Sequence, residues 1–245
     1  MNCFSVFERV HLHLGLMTAI TPIKRTAAEM SEFTINDLYI ATVDDWSAIA
    51  FAASVGLLPN SRTCERCKRP MHLVSRQENI DKKRWICKIS EGKKKKYCST
   101  RSLRSGTFFE KSHLTIRTIV HILYWWSLDV PPNLIEPLCG ITAKSAADFA
   151  LFLRQECVKW HSSKKDANAE EVVGEEEDDS DETTSTNNTT NGNTSRWVQA
   201  KRKLSPHEST TSELIEKNFR AEAKGAVFAH IIQAINKSFE IDLML

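Results

Sequence analysis

The chain has no run of 18 apolar residues, so no transmembrane helix is expected. Its first twenty residues, MNCFSVFERVHLHLGLMTAI, are mildly apolar. Glu8, Arg9, His11 and His13 interrupt them, which makes them a poor secretory signal. An even cysteine count is missing too: seven cysteines exclude a fully paired disulfide framework. No internal repeat is visible, and the whole 245-residue chain carries a net charge of only +2. These absences lead us to expect a reduced compartment, the nucleus, and no membrane partner. The sequons near 187–195 have no glycosylation meaning there.

The small net charge hides a contrast. Residues 61–120 hold 17 Lys/Arg against 5 Asp/Glu, whereas residues 166–182 hold 10 Asp/Glu and no base. Local charge sets the field that a polyanion meets, so the basic segment suggests a nucleic-acid partner. The acidic stretch EEVVGEEEDDSDETTSTNNTTNGNTS is of low complexity and buries too little apolar surface to fold alone.

Hydrophobic spacing predicts a mainly α fold with a small β zinc ribbon, a helix–turn–helix-like three-helix unit, a disordered acidic linker and a C-terminal helix. The expected divisions are a poorly ordered 1–31, short helices over 32–60, the ribbon over 61–110, helices over 111–161, the linker over 162–211 and a helical segment over 212–245. Asp44 or Asp45 should cap a helix that stops at Gly56 and Pro59. Strands are expected at Met71–Ser75, Arg84–Lys88 and Gly106–Phe109. Ile116, Ile119, Val120, Leu123 and Tyr124 form one helical stripe, and Ala146, Phe149, Ala150, Leu153 and Cys157 form another. The last helical segment spaces Leu214, Ile215, Phe219, Phe228, Ile231, Ile232 and Ile235 on one face, with a break expected at Gly225.

Four cysteines fall within 35 residues. Cys64 and Cys67 form a C-x2-C pair; Cys87 follows after nineteen residues, and Cys98 after ten more. A C-x2-C turn brings two thiolates to one face, where both reach one ion at about 2.3 Å. Cys87 and Cys98 supply the second pair, with a hairpin between the two turns. His72 is the rival fourth ligand, but it falls inside an expected strand. Four thiolates close the coordination sphere, so the Zn2+ is expected to be structural. The alternative is four free cysteines at an accidental spacing.

Lys93, Lys94, Lys95 and Lys96 lie in the stretch KISEGKKKK between Cys87 and Cys98, expected to bulge out as a loop pinned at both ends. Arg101 and Arg104 follow at once, so these six cations are the candidate phosphate contacts on double-stranded DNA. Phe108 and Phe109 could stack on bases, but packing in the core is favoured, as it is for Trp125 and Trp126. Gly140 marks a tight turn, and the helix beginning after Thr142 presents Lys144 and Ser145 at the end where a recognition helix meets base edges. An ordinary three-helix bundle would give the same pattern.

Together GLLPNSRTCERCKRPMHL, RWICK, YCSTRSLRSGTFFEKSHLTI, YWW and ITAKSAADFALFLRQEC resemble the N-terminal region of Merlin-superfamily transposases and of the related bacterial ISXO-type insertion-sequence transposases. The resemblance covers residues 34–160 and implies a zinc ribbon and helix–turn–helix that bind transposon-end DNA. In that family an RNase H-like domain follows, with three acidic residues holding two metal ions. Here the acidic tract stands at that point, and only FEIDLML echoes the first catalytic strand, with Asp242 in the place of the first acid. The expected function is therefore a zinc-stabilised, transposase-derived DNA-binding protein without strand-transfer activity and with no catalytic residue. The alternatives are a protein-interaction module, with the C-terminal helix meeting a protein partner, or a fragment of a degenerate element. KRKLSP is a candidate nuclear-import cluster.

Overall fold

The computed structural model describes residues 18–21, 23–91, 94–170 and 206–239. Lys93, the acidic tract from residue 171 onward, most of KRKLSP and Asp242 lie outside these residues. The described chain is mostly helical, with eight helices and one three-stranded antiparallel sheet of order β1–β2–β3. None of these helices is long and apolar enough to cross a membrane.

Three short helices come first among the described residues: α1 (Ala27–Ser31), α2 (Ile35–Ala41) and α3 (Asp45–Ser54). Each starts on a side chain that accepts an otherwise orphaned backbone N–H. Thr26 and Thr34 form capping boxes with Glu29 and Asp37, and Asp44 accepts from Ser47 N. The capping box explains why residues 27–31, expected to be poorly ordered, form a helix instead. Asn60 ties down the segment before it, accepting from Ile20 N at 3.0 Å and Thr21 N at 2.8 Å.

The sheet follows, with β1 (His72–Ser75), β2 (Lys83–Glu91) and β3 (Lys94–Ser102). The third strand is not the expected Gly106–Phe109. Those residues bond locally instead, Thr107 N to Arg104 O at 3.0 Å and Glu110 N to Thr107 O at 3.0 Å, so their backbone is committed to successive turns. Gly106 adopts a φ of 70°, a left-handed conformation that disfavours side-chain-bearing residues.

Helices α4 (Ile116–Ser127), α5 (Pro132–Cys139) and α6 (Ala143–Glu170) come next. Thr115 caps α4, Pro132 stands in the first turn of α5, and Gly140 closes α5 at φ 62°. All five residues of the α4 stripe are buried, as are Ala146, Phe149, Leu153 and Cys157 of α6, with Ala150 half-buried. Phe108 and Phe109 are fully buried and pack on one another at 5.4 Å, and Phe108 packs on Phe152 at 5.2 Å.

Two helices close the described chain, α7 (Pro206–Glu222) and α8 (Val227–Phe239), separated at Gly225 with φ 90°. They return to the helical core, α7 against α6 and α8 against α6, α4 and α1. Phe228, Ile231, Ile232 and Ile235 are buried there, inside the molecule. Leu214 is exposed, contrary to expectation. The inward face of α7 runs through Ser212, Glu216, Phe219 and Ala223, nearly opposite Leu214 on the wheel. Helix α6 continues past His161 because the docked pair supplies partners: Lys164 bonds Glu222 at 2.7 Å, and Trp160 packs on His230 at 5.3 Å. Arg220 stacks on Trp126 at 4.2 Å and donates to Trp126 O at 3.0 Å, satisfying a carbonyl at the end of α4.

Arg104 binds the sheet to the helices. Its guanidinium meets Asp81, in the β1–β2 turn, at 2.7 and 2.5 Å, and also donates to Ser112 O and Leu114 O. Both side chains are 5% exposed. The expectation that Arg104 contacts DNA is therefore corrected: it is buried, and its donors are consumed within the fold. Replacing Arg104 with Ala leaves the Asp81 carboxylate buried without a partner, a loss of about 3–5 kcal/mol. Urea unfolding should show it; a loss under about 1 kcal/mol would contradict this role.

Candidate metal centre

The knuckle that carries Cys64 and Cys67 is a tight turn. Lys68 N donates to Cys64 O at 2.8 Å, Cys64 N donates to Arg69 O at 2.8 Å, and an isolated bridge pairs Thr63 with Pro70. Lys68 takes a φ of 57° to make the reversal, a position where glycine would be less strained.

Cys87 and Cys98 come from β2 and β3. On one side of the site Cys87 pairs with Ser99, and on the other Lys88 pairs with Tyr97. Cys98 is therefore the extra residue of a β-bulge. A bulge bends its strand and re-aims the side chain, and this one lets Cys98 join Cys87 and the knuckle. The strands do not stop at the cysteines. Ile89, Ser90 and Glu91 pair with Lys96, Lys95 and Lys94, so the expected loop is a two-stranded arm.

The four sulfur atoms lie within 4.8 Å of one another, with Cys64 Sγ and Cys98 Sγ 3.8 Å apart and Cys67 Sγ and Cys87 Sγ 3.4 Å apart. These separations exceed a disulfide bond of about 2.05 Å. A tetrahedron with arms of about 2.3 Å has edges of about 3.8 Å; the Cys64–Cys98 separation equals that edge and the Cys67–Cys87 separation is shorter. The cluster could thus hold one metal ion, and its four soft thiolates are compatible with zinc. Cys64 and Cys87 are buried and Cys67 and Cys98 half-buried, all four as free cysteines. His72 lies in β1 opposite Ile86, outside this group of four.

The surroundings treat the thiols unequally. The Ser99 hydroxyl, 3.0 Å from Cys64 Sγ, and the backbone N–H groups of Cys67 and Arg66 hold the Cys64 thiol down to about 6. Burial pushes Cys87 up to about 12 and raises Cys98 as well. A metal entering the cluster displaces protons from the latter two, so its affinity falls as pH falls.

The other expected contact residues are dispersed. Arg101 stands on β3 beside the cluster, 42% exposed and paired with Glu65. Lys94, Lys95 and Lys96 run in the arm. Lys144 and Ser145 occupy the first turn of α6; Lys144 is exposed, while Ser145 N donates to the Thr142 cap at 3.2 Å. Sequence reasoning missed Asp81, Arg62, Arg66 and Tyr97. It counted Ser99 among the phosphate donors beside Arg101, whereas the Ser99 hydroxyl lies against Cys64 Sγ. No family model matches the chain, and no curated protein or solved structure is significantly similar to it.

The purified protein should bind one Zn2+ per chain, measured by metal analysis after gel filtration. Cys87→Ser should abolish stoichiometric binding, His72→Ala should preserve it, and Ser99→Ala should weaken it about tenfold through loss of the hydrogen bond to Cys64. Full retention of zinc by Cys87→Ser would contradict the site.

Proposed function

We propose that this chain is a zinc-stabilised binding protein for double-stranded DNA, with a zinc ribbon and a helix–turn–helix of the kind that the transposase resemblance implies. The observation that carries the reading is the set of four sulfurs within 4.8 Å of one another at the base of a lysine-bearing β arm. The metal is structural in this reading, because four thiolates leave no position for water, and the role is binding rather than strand transfer.

The arm suits a duplex. A two-stranded ribbon fits a major groove about 12 Å wide and about 8.5 Å deep. From Cys98 to Lys94, β3 extends four residues, a reach of about 14 Å. A zinc ion at the base would fix the direction of the arm, which carries Lys94–Lys96; with Lys93, these are the lysines that would meet phosphates. Arg101 lies at the basal end with nearly half its surface open. The turn from α5 to α6 through Gly140 places Lys144 and Ser145 at a helix start, where the N-terminal turn of a recognition helix meets base edges. The basic excess of residues 61–120 supplies the counterion-release term, and a DNA-binding role fits a nuclear location.

The test is fluorescence anisotropy with a short duplex across a salt series, with and without a zinc chelator. Affinity should fall steeply with salt and vanish with the chelator. Exchanging Lys93–Lys96 for glutamine should weaken all duplexes alike and reduce the slope of log K against log salt by up to about 3.5. Salt-independent binding, or none with zinc bound, would overturn the reading.

A further inference from the structure

Beside the cysteine cluster lies a cavity of about 450 Å³, bordered by Cys98, Ser99 and Arg101 and otherwise lined by residues without a role above. Its wall comes from the knuckle and from the basal part of β3, the elements that place Cys64 and Cys98. Arg62, Arg66 and Arg101 line it against a single lining carboxylate, Glu65. Each guanidinium is held by a bond that leaves other donors free: Arg62 donates to Ser105 O, Arg66 to Cys98 O at 3.3 Å, and Arg101 to Glu65. Arg62 Nε is buried without a partner. Tyr97 also lines the cavity and is 52% exposed.

Guanidiniums form paired hydrogen bonds with phosphate oxygens, and an open aromatic ring stacks on a base whatever its identity. In a duplex the bases are stacked inside the helix, so a recessed cavity cannot take a phosphate and its base together. An unpaired nucleotide offers both, and the volume falls within the range of small-ligand sites. Accepting that this surface meets nucleic acid, the geometry points to a subsite for one unpaired nucleotide of a DNA strand, with its phosphodiester on Arg62, Arg66 and Arg101 and its base against Tyr97. The protein would then bind a duplex that ends in, or is interrupted by, a single-stranded segment more tightly than a continuous one.

The experiment compares three labelled hairpin duplexes by anisotropy with the full-length, zinc-loaded chain: blunt, with four unpaired thymidines, and with four abasic residues instead. The thymidine overhang should bind about tenfold tighter than the blunt end, and the abasic one should lose most of that gain. Tyr97→Ala should erase the preference while leaving blunt-duplex affinity, zinc content and helical circular dichroism unchanged; Tyr97→Phe should keep it. Equal affinity for all three duplexes, equal gain from the abasic and thymidine overhangs, or a preference that survives Tyr97→Ala would overturn the subsite. Salt-dependent binding of the blunt duplex with no added affinity for the thymidine overhang would sink the subsite alone. Tyr97-dependent binding of the overhang with no affinity for the blunt duplex would sink the duplex reading alone.

Discussion

Four sulfur atoms from three places in the chain must meet within 4.8 Å, and the sheet region is arranged around that demand. The knuckle reverses through a left-handed lysine, and β3 takes in an extra residue so that Cys98 can join Cys87. Among the strand residues whose burial is described, Leu73, Trp85 and Ile86 are the buried apolar ones besides Cys87. Modules of about 40 residues or fewer usually need a disulfide, a metal or a partner to fold. Zinc binding at such a site is folding free energy, since the unfolded chain has no preformed cluster. In this account the ion does for the sheet what a hydrophobic core does for the helices, and the arm beyond it takes its direction from the same point.

The helical part stands on a different basis. Its core gathers residues from the opening helices, from α4–α6 and from the returning α7–α8 pair into one apolar cluster, which Leu73 and Trp85 of the sheet also join. Polar contacts pin the seams. Glu216 bridges Arg154 at 2.7 Å and Arg220 at 2.9 Å, and Asn236 donates to Val55 O at 2.8 Å, across most of the chain's length. Besides that shared apolar cluster, sheet and helices meet through polar contacts at the β1–β2 turn. Lys83 lies over Trp46 at 4.7 Å, Lys82 pairs with Asp45 at 3.5 Å, and Asp81 holds Arg104. Only the last of these is buried, so it is the contact most costly to break.

Much of this could be read from residue order, because it depends on local rules. Cysteine spacing found all four members of the cluster, and the stripe of α4 follows helical period without exception. The Asp44 cap and the breaks at Gly140 and Gly225 are also local. What could not be read depends on partners distant in sequence. Arg101 and Arg104 are equivalent in the string STRSLRSG; only the fold decides that one faces solvent and the other meets Asp81, 23 residues earlier. The lysine run reads as a loop because charge and strand propensity conflict there, whereas cross-strand pairing with Ile89–Glu91 makes it a strand. Leu214 was misplaced because a polar face, centred on Glu216, is satisfied by arginines from α6 and α7. The bulge at Cys98 leaves no trace in composition or period.

The central claim is that a metal at the four cysteines holds the sheet and its arm, while the helices fold without it. Amide hydrogen exchange on the zinc-loaded protein, repeated after chelation, tests it most directly. The account predicts that amides of β2 and β3 lose protection on chelation while those in α4, α6 and α8 keep theirs. Strand amides that stay equally protected without metal would contradict it, leaving the four cysteines as neighbours that the sheet does not need.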